Sequence, residues 1–352
     1  MAPVPQSILR ALSLSIDPSK SNLSTSGLGG FSTTGRISAH VPSSGSTNKD
    51  GEKEEERQFF VKTSPNGEEM FQGEYASLNA IADSVPGFCP RALAWGPLDE
   101  KKGFFLVTEF LDLGGGRSSS GRSGTKSSLA QRLGRLHSTP APPPPDTDKP
   151  MFGFPVPTYC GDSRQSNNFH QSWANFYANE RLLMILRESE RRNGLDKSLR
   201  DLVERTTSAV VPRLLGDKHL GYDKNGKGQG IIPVVVHGDL WSGNASKGRI
   251  IGSGGKYDEK NGGGDVVYDP SACYAHNEYE LGIMHMFGGF GRDFFDEYHK
   301  IVPKTEPVEE YDDRVRLYEL YHHLNHHAIF GGGYKSGAVS IMTRLINKYG
   351  KE

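Results

Sequence analysis

Strand-type and helix-type patterns are segregated along this chain, and that order restricts the available folds more than any other feature. Residues 35–39, 58–62 and 103–110 carry strand signals, the last rich in aromatic and β-branched residues, around a single helical window at 70–83. Beyond residue 127, apolar positions recur at helical spacing in windows 128–137, 171–192, 197–215, 278–287, 290–301, 312–330 and 336–348. Strands followed by helices, rather than alternating with them, predict an α+β fold. The expected division is a small β-rich lobe over residues 1–111 and a larger, mainly helical lobe over 112–352. The cleft between lobes is then the expected site.

At 352 residues the chain can support two packed lobes. Its 41 basic and 42 acidic residues leave a formal charge of -1, so no global field points to nucleic acid or an anionic membrane. No apolar run approaches the length of a membrane span. Cys89, Cys160 and Cys273 are odd in number and lack metal-type spacing, which fits free thiols in a reducing compartment. The first fifteen residues carry Arg10 and no acid, a faint transit-like character. Ile8, Leu12, Leu14 and Ile16 also read as a plain amphipathic helix, the reading taken here, and with it a soluble cytoplasmic protein. Low-complexity segments near 43–56, 114–128 and 248–264 read as surface insertions, and residues 140–145 as a polyproline connector.

An apolar run, residues 231–236, delivers the chain into His237-Gly238-Asp239-Leu240-Trp241-Ser242-Gly243-Asn244, and a second run, residues 266–268, ends on Asp269. Phosphoryl transfer needs a carboxylate beside the attacking hydroxyl and oxygen ligands for magnesium on the nucleotide phosphates. Asp239 and Asn244 repeat the spacing of base and metal ligand in a protein-kinase catalytic loop, and Gly238 stands where protein kinases carry Arg. A polar turn after a buried strand is the plain alternative. Asp269 is the expected second metal ligand, with an Asx-type turn before Pro270 as its alternative. His237 is expected to brace the loop. Trp241 reads equally as a sugar-stacking platform or a core wedge. His276 could face the acceptor, whereas Glu278 and Glu280 read as a charged first helical turn.

In the first lobe, residues 26–32 place Gly27, Gly29 and Gly30 ahead of the first hairpin, where glycines let backbone N–H groups approach phosphate. Phe60-Val61-Lys62 is a strand ending in a cation suited to the α- and β-phosphates, and Glu74 on the following helix is its expected ion-pair partner. Glu109 and Leu111, at the end of the last strand of this lobe, are assigned to the nucleotide as well. His322-His323-Leu324-Asn325-His326-His327 sets two His pairs at i, i+4. Without an HExxH pattern or a neighbouring thiolate, packing is the expected use of that stretch.

With these residues in view, the chain resembles the fructosamine/ketosamine-3-kinase family, a branch of the aminoglycoside-phosphotransferase-like kinases. The likeness rests on residues 70–78, on Phe152-Gly153-Phe154 and Thr158-Tyr159-Cys160-Gly161, on Trp173 with Phe176-Tyr177, and on residues 237–244. It continues through Tyr268-Asp269-Pro270-Ser271, residues 276–281, Met286 to Phe290, Tyr298-His299 and residues 317–326. The style of the insertions resembles fungal members. The resemblance implies a bilobal protein-kinase-like fold and ATP- and Mg2+-dependent phosphorylation of the 3-hydroxyl of a protein-bound or small ketosamine. The 3-phosphate destabilises the adduct, so that the sugar leaves and the amine is regenerated. By the same resemblance Asp239 is the base, Asn244 and Asp269 hold magnesium, and Lys62 with Glu74 grips the nucleotide. A kinase of an aminoglycoside, choline or free sugar, and a nucleotide-binding scaffold without catalysis, are the competing readings.

Overall fold

The strand signals of the first third pair into one antiparallel sheet. A computed structural model of the protein describes residues 2–13, 20–29, 31–42, 54–99, 102–113, 127–251 and 263–350. The chain forms two units, one of Met1–Ser127 with Ser246–Tyr268 and one of Ser128–Ala245 with Asp269–Glu352. The expected second lobe is therefore interrupted, because residues 246–268 belong with the first. Leu14, Ile16, Gly30 and most of the three expected insertions lie outside the described residues.

The first unit opens with α1 (Gln6–Ala11), shorter than the expected helix, followed by β1 (Ser21–Gly29), β2 (Ser32–Pro42) and β3 (Glu54–Ser64). Helix α2 (Glu68–Ser84), β4 (Ala92–Pro97) and β5 (Phe104–Asp112) complete it, together with two returning strands, Ala245–Ile251 and Gly264–Val267. The strand order is β1-β2-β3-β5, and β5 also pairs with β4 and, through Phe110–Asp112, with the returning strand at Arg249–Ile251. Period-two alternation places Ile37, Ala39, Phe59, Val61, Phe105 and Val107 in one core with Val4, Ile8 and Leu9 of the N-terminal segment. Lys62 alternates with Val61 and so lies on the opposite face, on the side of α2, which packs on β4 and β5 through Phe71, Leu78 and Ile81.

The second unit is mainly helical. In chain order it contains α3 (Leu129–Ser138), the hairpin β6 (Thr158–Cys160) and β7 (Ser163–Gln165), α4 (Trp173–Phe176), α5 (Met184–Asn193), α6 (Lys197–Arg205), α7 (Val211–Leu215) and β8 (Val234–Val236). A π-helical stretch, Tyr177–Leu183, joins α4 to α5. After the returning strands, now β9 (Ala245–Ile251) and β10 (Gly264–Val267), come β11 (Cys273–Ala275), α8 (Tyr279–Phe287), α9 (Arg292–Ile301), α10 (Tyr311–Phe330) and α11 (Tyr334–Tyr349). Helix α3 starts on a capping box, Ser128 Oγ accepting from the Gln131 N–H at 3.2 Å while Gln131 Oε1 accepts from the Ser128 N–H at 3.3 Å.

Helix α10 is buried along most of its length and organises an aromatic core of Trp173, Tyr177, Tyr279, Tyr318 and Tyr321. Of the buried polar tips, the Trp173 indole N–H donates to Tyr318 OH at 2.8 Å and Tyr177 OH donates to the Leu317 carbonyl, whereas Tyr279 OH has no hydrogen-bond partner. Arg181, fully buried, stacks over Phe176 at 4.7 Å and donates to Asn167 Oδ1 at 2.9 Å. This core backs the short β8–β11 ladder, which delivers the chain to His237. No helix among the described residues is long and apolar enough to cross a membrane.

Candidate active site

Only Val234–Val236 of the apolar run 231–236 forms a strand, because Pro233 has no N–H to donate to a ladder. His237 follows, completely buried, and its carbonyl accepts from the Ser271 N–H at 2.8 Å. The Glu280 carboxylate then takes two consecutive backbone donors, the N–H of His237 at 2.5 Å and of Gly238 at 3.0 Å. Gly238 adopts φ +81°, and a Cβ there would stand 2.1 Å from the Ser271 carbonyl oxygen. The loop thus turns where only glycine fits, a physical reason for its glycine that local motif reading does not supply.

Asp239 emerges half-buried from this clamp. Its N–H donates to His237 Nδ1 at 3.3 Å, so His237 braces the loop as expected. The Asn244 side-chain amide donates to the Asp239 carbonyl at 2.9 Å and to Oδ2 at 3.3 Å, while the Cys160 thiol faces Oδ1 at 3.7 Å. With its nitrogen committed to Asp239, Asn244 has Oδ1 as the atom to offer a cation. Burial, then the charges of Glu280 and Asp269, push the Asp239 carboxyl up to about 8, against the opposing pull of Cys160 and Asn244.

Asp269 is exposed and sits at φ 57°, a left-handed conformation uncommon for a non-glycine residue. Asn244 and Asp269 flank the points where the chain leaves the second unit for the β9–β10 hairpin and re-enters it. The Asp269 carboxylate, whose charge is felt at Asp239, and the Asn244 amide oxygen are hard-oxygen donors of the kind magnesium takes. Trp241 is 40 % exposed, which excludes a core wedge. Its indole lies over Gly243, where an added Cβ would meet the ring at 2.1 Å, and lies 5.9 Å from Phe287.

His276 differs from expectation. It is 1 % exposed, with Nδ1 on Tyr318 OH and Nε2 on Thr305 Oγ1, each at 2.8 Å, so neither ring nitrogen is left for an acceptor. Burial lowers its pKa to about 4, with the Glu278 charge opposing and those of Arg314 and His137 assisting, so the ring is neutral near pH 7. Glu278 and Glu280 are not a solvated first turn either. Glu278 forms a bidentate, fully buried pair with Arg314, at 2.8 and 3.1 Å, and accepts the Thr305 N–H at 2.8 Å. Burial raises the Glu278 and Glu280 carboxyls. In Glu278 the neighbouring His276 and Arg314 groups outweigh it, in Glu280 the His137 and His237 groups do, and both pKa values end lowered.

In the first unit, Lys62 Nζ lies 2.7 Å from Glu74 Oε1, with both side chains largely buried, so strand β3 and helix α2 bring the expected pair together. Gly27 has φ +105° at a bulge in β1, with open space around its Cα, and Gly29 pairs with Ser32 across the hairpin. Gly27 and Gly29 therefore belong to the end of β1, within the first hairpin rather than in a loop preceding it, while Gly30 lies outside the described residues. Glu109 and Leu111 lie on β5, Leu111 paired with Ile250, and the Glu109 carboxylate accepts the Arg91 N–H at 2.9 Å.

Comparison with known proteins gives the same family from two directions and the fold from a third. The fructosamine kinase family model matches residues 23–348. A ketosamine-3-kinase of Mus musculus is 32 % identical over 300 residues, covering 81 % of this chain and 87 % of its own. A chloroplastic protein-ribulosamine 3-kinase of Oryza sativa subsp. japonica is 33 % identical over 285 residues, covering 81 % and 71 %. Among solved structures, a candidate fructosamine-3-kinase from Thermobifida fusca superposes with a TM-score of 0.68 at 22 % identity, covering 98 % of each chain, which establishes the shared α+β kinase-like fold. With the family model spanning almost the whole chain, and relatives at this level of identity matching four-fifths of it, the protein belongs to the fructosamine kinase family.

Proposed function

We propose that the protein transfers the γ-phosphoryl group of ATP to the 3-hydroxyl of a ketosamine, either small or attached to a protein amine. The observation that carries this reading is the arrangement of Asp239, clamped by Glu280 through the loop backbone and bonded to Asn244, in a chain of this family. Asp239 orients the acceptor hydroxyl and takes its proton as the oxygen–phosphorus bond forms and the bond to ADP breaks. In a loose transition state positioning supplies most of the rate, and a fixed loop suits that task. Asn244 and Asp269 would hold magnesium, which when bound neutralises charge on the phosphates.

Lys62, steadied by Glu74, is assigned to the α- and β-phosphates, with Gly27 and Gly29 in β1, Gly30, and Glu109 and Leu111 on β5 as further nucleotide contacts. Trp241 offers its exposed ring to the sugar, while His276 supports the core behind the loop. Three buried free thiols fit a reducing compartment, and cytoplasmic action is the reading we carry with it. The test is Asp239→Ala, assayed with Mg-ATP and a ribulosamine acceptor. Turnover should fall by about 10³-fold or more, as expected when a base and its positioning are both lost, with ATP affinity and melting temperature nearly kept. Near-normal turnover would remove Asp239 from the chemistry.

A further inference from the structure

The sequence separates Cys160, Asp239 and His322 widely, yet the fold brings their ligating atoms within 4.8 Å of one another. Cys160 comes from β6, Asp239 from the loop after β8 and His322 from α10. Read along the sequence, the histidines of α10 lacked a neighbouring thiol; in the fold, one of them has it. We propose that these three side chains form a binding site for a soft divalent cation, Zn2+ in the first instance, that silences phosphoryl transfer by occupying Asp239. The silencing half of this inference rests on the reading of Asp239 as the base; the binding half does not.

The donor set selects the ion. Zinc takes thiolate, imidazole and carboxylate at about 2.0–2.3 Å, so its ligands stand roughly 3.4–3.8 Å apart in a tetrahedral site. Cys160 Sγ and Asp239 Oδ1 are already 3.7 Å apart, and closing the remaining spread needs side-chain shifts of an ångström or less. Magnesium demands hard oxygen ligands and near-octahedral geometry, so it does not compete for a thiol and an imidazole. The two Asp239 oxygens face different neighbours, Oδ2 the Asn244 amide and Oδ1 the thiol, so a cation at Oδ1 is distinct from one held by Asn244 and Asp269.

Two further features mark a ligand position rather than ordinary packing. His322 is 1 % exposed, and its Nδ1 is one of four buried histidine ring nitrogens without a hydrogen-bond partner among the described residues; of those four histidines, His322 is the one grouped with a thiol and a carboxylate. The Asn325 side-chain amide donates to Cys160 Sγ at 3.2 Å, as an outer partner that orients and stabilises a thiolate would. Asp239, half-buried, leaves a path from solvent. On binding, the S–H bond is replaced by a zinc–sulfur bond. The thiol proton leaves to solvent, as does the Asp239 proton where the carboxyl carries one, and His322 enters neutral. No electron changes hands.

The test uses the full chain. Titration of wild-type protein with Co2+, without ATP or acceptor, should give a thiolate-to-cobalt charge-transfer band saturating at one equivalent and displaced by zinc. Transfer assayed at fixed Mg-ATP under buffered free zinc should fall, and recover with a chelator that prefers zinc to magnesium. His322→Gln should keep metal-free turnover within about twofold, and both it and Cys160→Ser, each measured against its own metal-free rate, should lose about tenfold or more in zinc sensitivity, the scale on which metal sites respond to lost partners. Absence of the cobalt band in wild type overturns the site. Equal zinc inhibition of Cys160→Ser and wild type does so too, and full transfer by zinc-loaded protein overturns the silencing. Failure of the kinase reading is seen separately, as absence of transfer by metal-free wild type with Mg-ATP.

Discussion

Glu280→Gln separates what positions the base from what merely folds the chain. The Glu280 carboxylate is buried and accepts two backbone N–H groups, those of His237 and Gly238, immediately before Asp239. Glutamine keeps one acceptor and turns an NH2 group toward the other donor. One charge-assisted hydrogen bond is lost and one buried N–H is stranded, a cost of about 2–4 kcal/mol in all. In a unit of this size that corresponds to a fall of roughly 5–15 °C in melting temperature. The loop relaxes where the stranded N–H seeks another partner, and a displacement of about 1 Å at a reacting group costs on the order of 10²-fold in rate. Steady-state kinetics with Mg-ATP and ribulosamine should therefore show kcat down about 10²-fold, with KM for ATP within about twofold. Glu280→Asp, which keeps the charge, should recover part of kcat. A variant that melts early but turns over within about threefold of wild type would take Glu280 out of base positioning, since the carboxylate would then hold the fold and not the base.

Two other outcomes follow from groups away from the loop. His276 titrates at about 4 in the folded chain and near 6.5 unfolded, so the unfolded state gains a proton first as pH falls. Stability from this residue is fully present above about pH 6.5 and declines toward pH 4, by about 2 kcal/mol at pH 5 and roughly 3 kcal/mol in total. Urea unfolding at these pH values should show that decline shrink by the same amount in His276→Gln, and an undiminished decline would show that His276 is not its source. Lys62→Met removes the cation of the buried Lys62–Glu74 pair, and kcat/KM for ATP should drop about 10–100-fold with the acceptor KM unchanged. Unaltered ATP kinetics would take Lys62 out of the nucleotide site.

The helices were legible because their apolar stripes are long: the windows at 128–137, 278–287 and 312–330 each find a helix within two residues of the expected ends. Strands β4 and β9 were not, because Ala92–Pro97 is short, has no β-branched residue and ends in Gly96-Pro97, and Ala245–Ile251 opens a low-complexity stretch. Lys62 with Glu74 and Asp239 with Asn244 could be read from spacing, since each pair is joined by one strand–helix step or one loop. Glu278 and Glu280 could not. Their partners lie 27 and more residues away in sequence, and a local pattern of acid at a helix start points to solvent unless those partners are known. Cys160 beside Asp239 and His322 is illegible for the same reason. His276 was misjudged because a polar residue next to a motif looks available, whereas Tyr318 and Thr305 already engage both its nitrogens.

The function proposed is that this chain places phosphate on the 3-oxygen of a ketosamine. Its most direct test is product identification by mass spectrometry and phosphorus NMR, after incubation of wild-type protein with Mg-ATP and ribulosamine, fructosamine, aminoglycoside and choline acceptors. The account predicts one new phosphate ester, on the 3-oxygen of the ribulosamine or fructosamine, followed by release of the free amine. Phosphate on the aminoglycoside or choline with untouched ketosamines, or no ester on any acceptor, would contradict it.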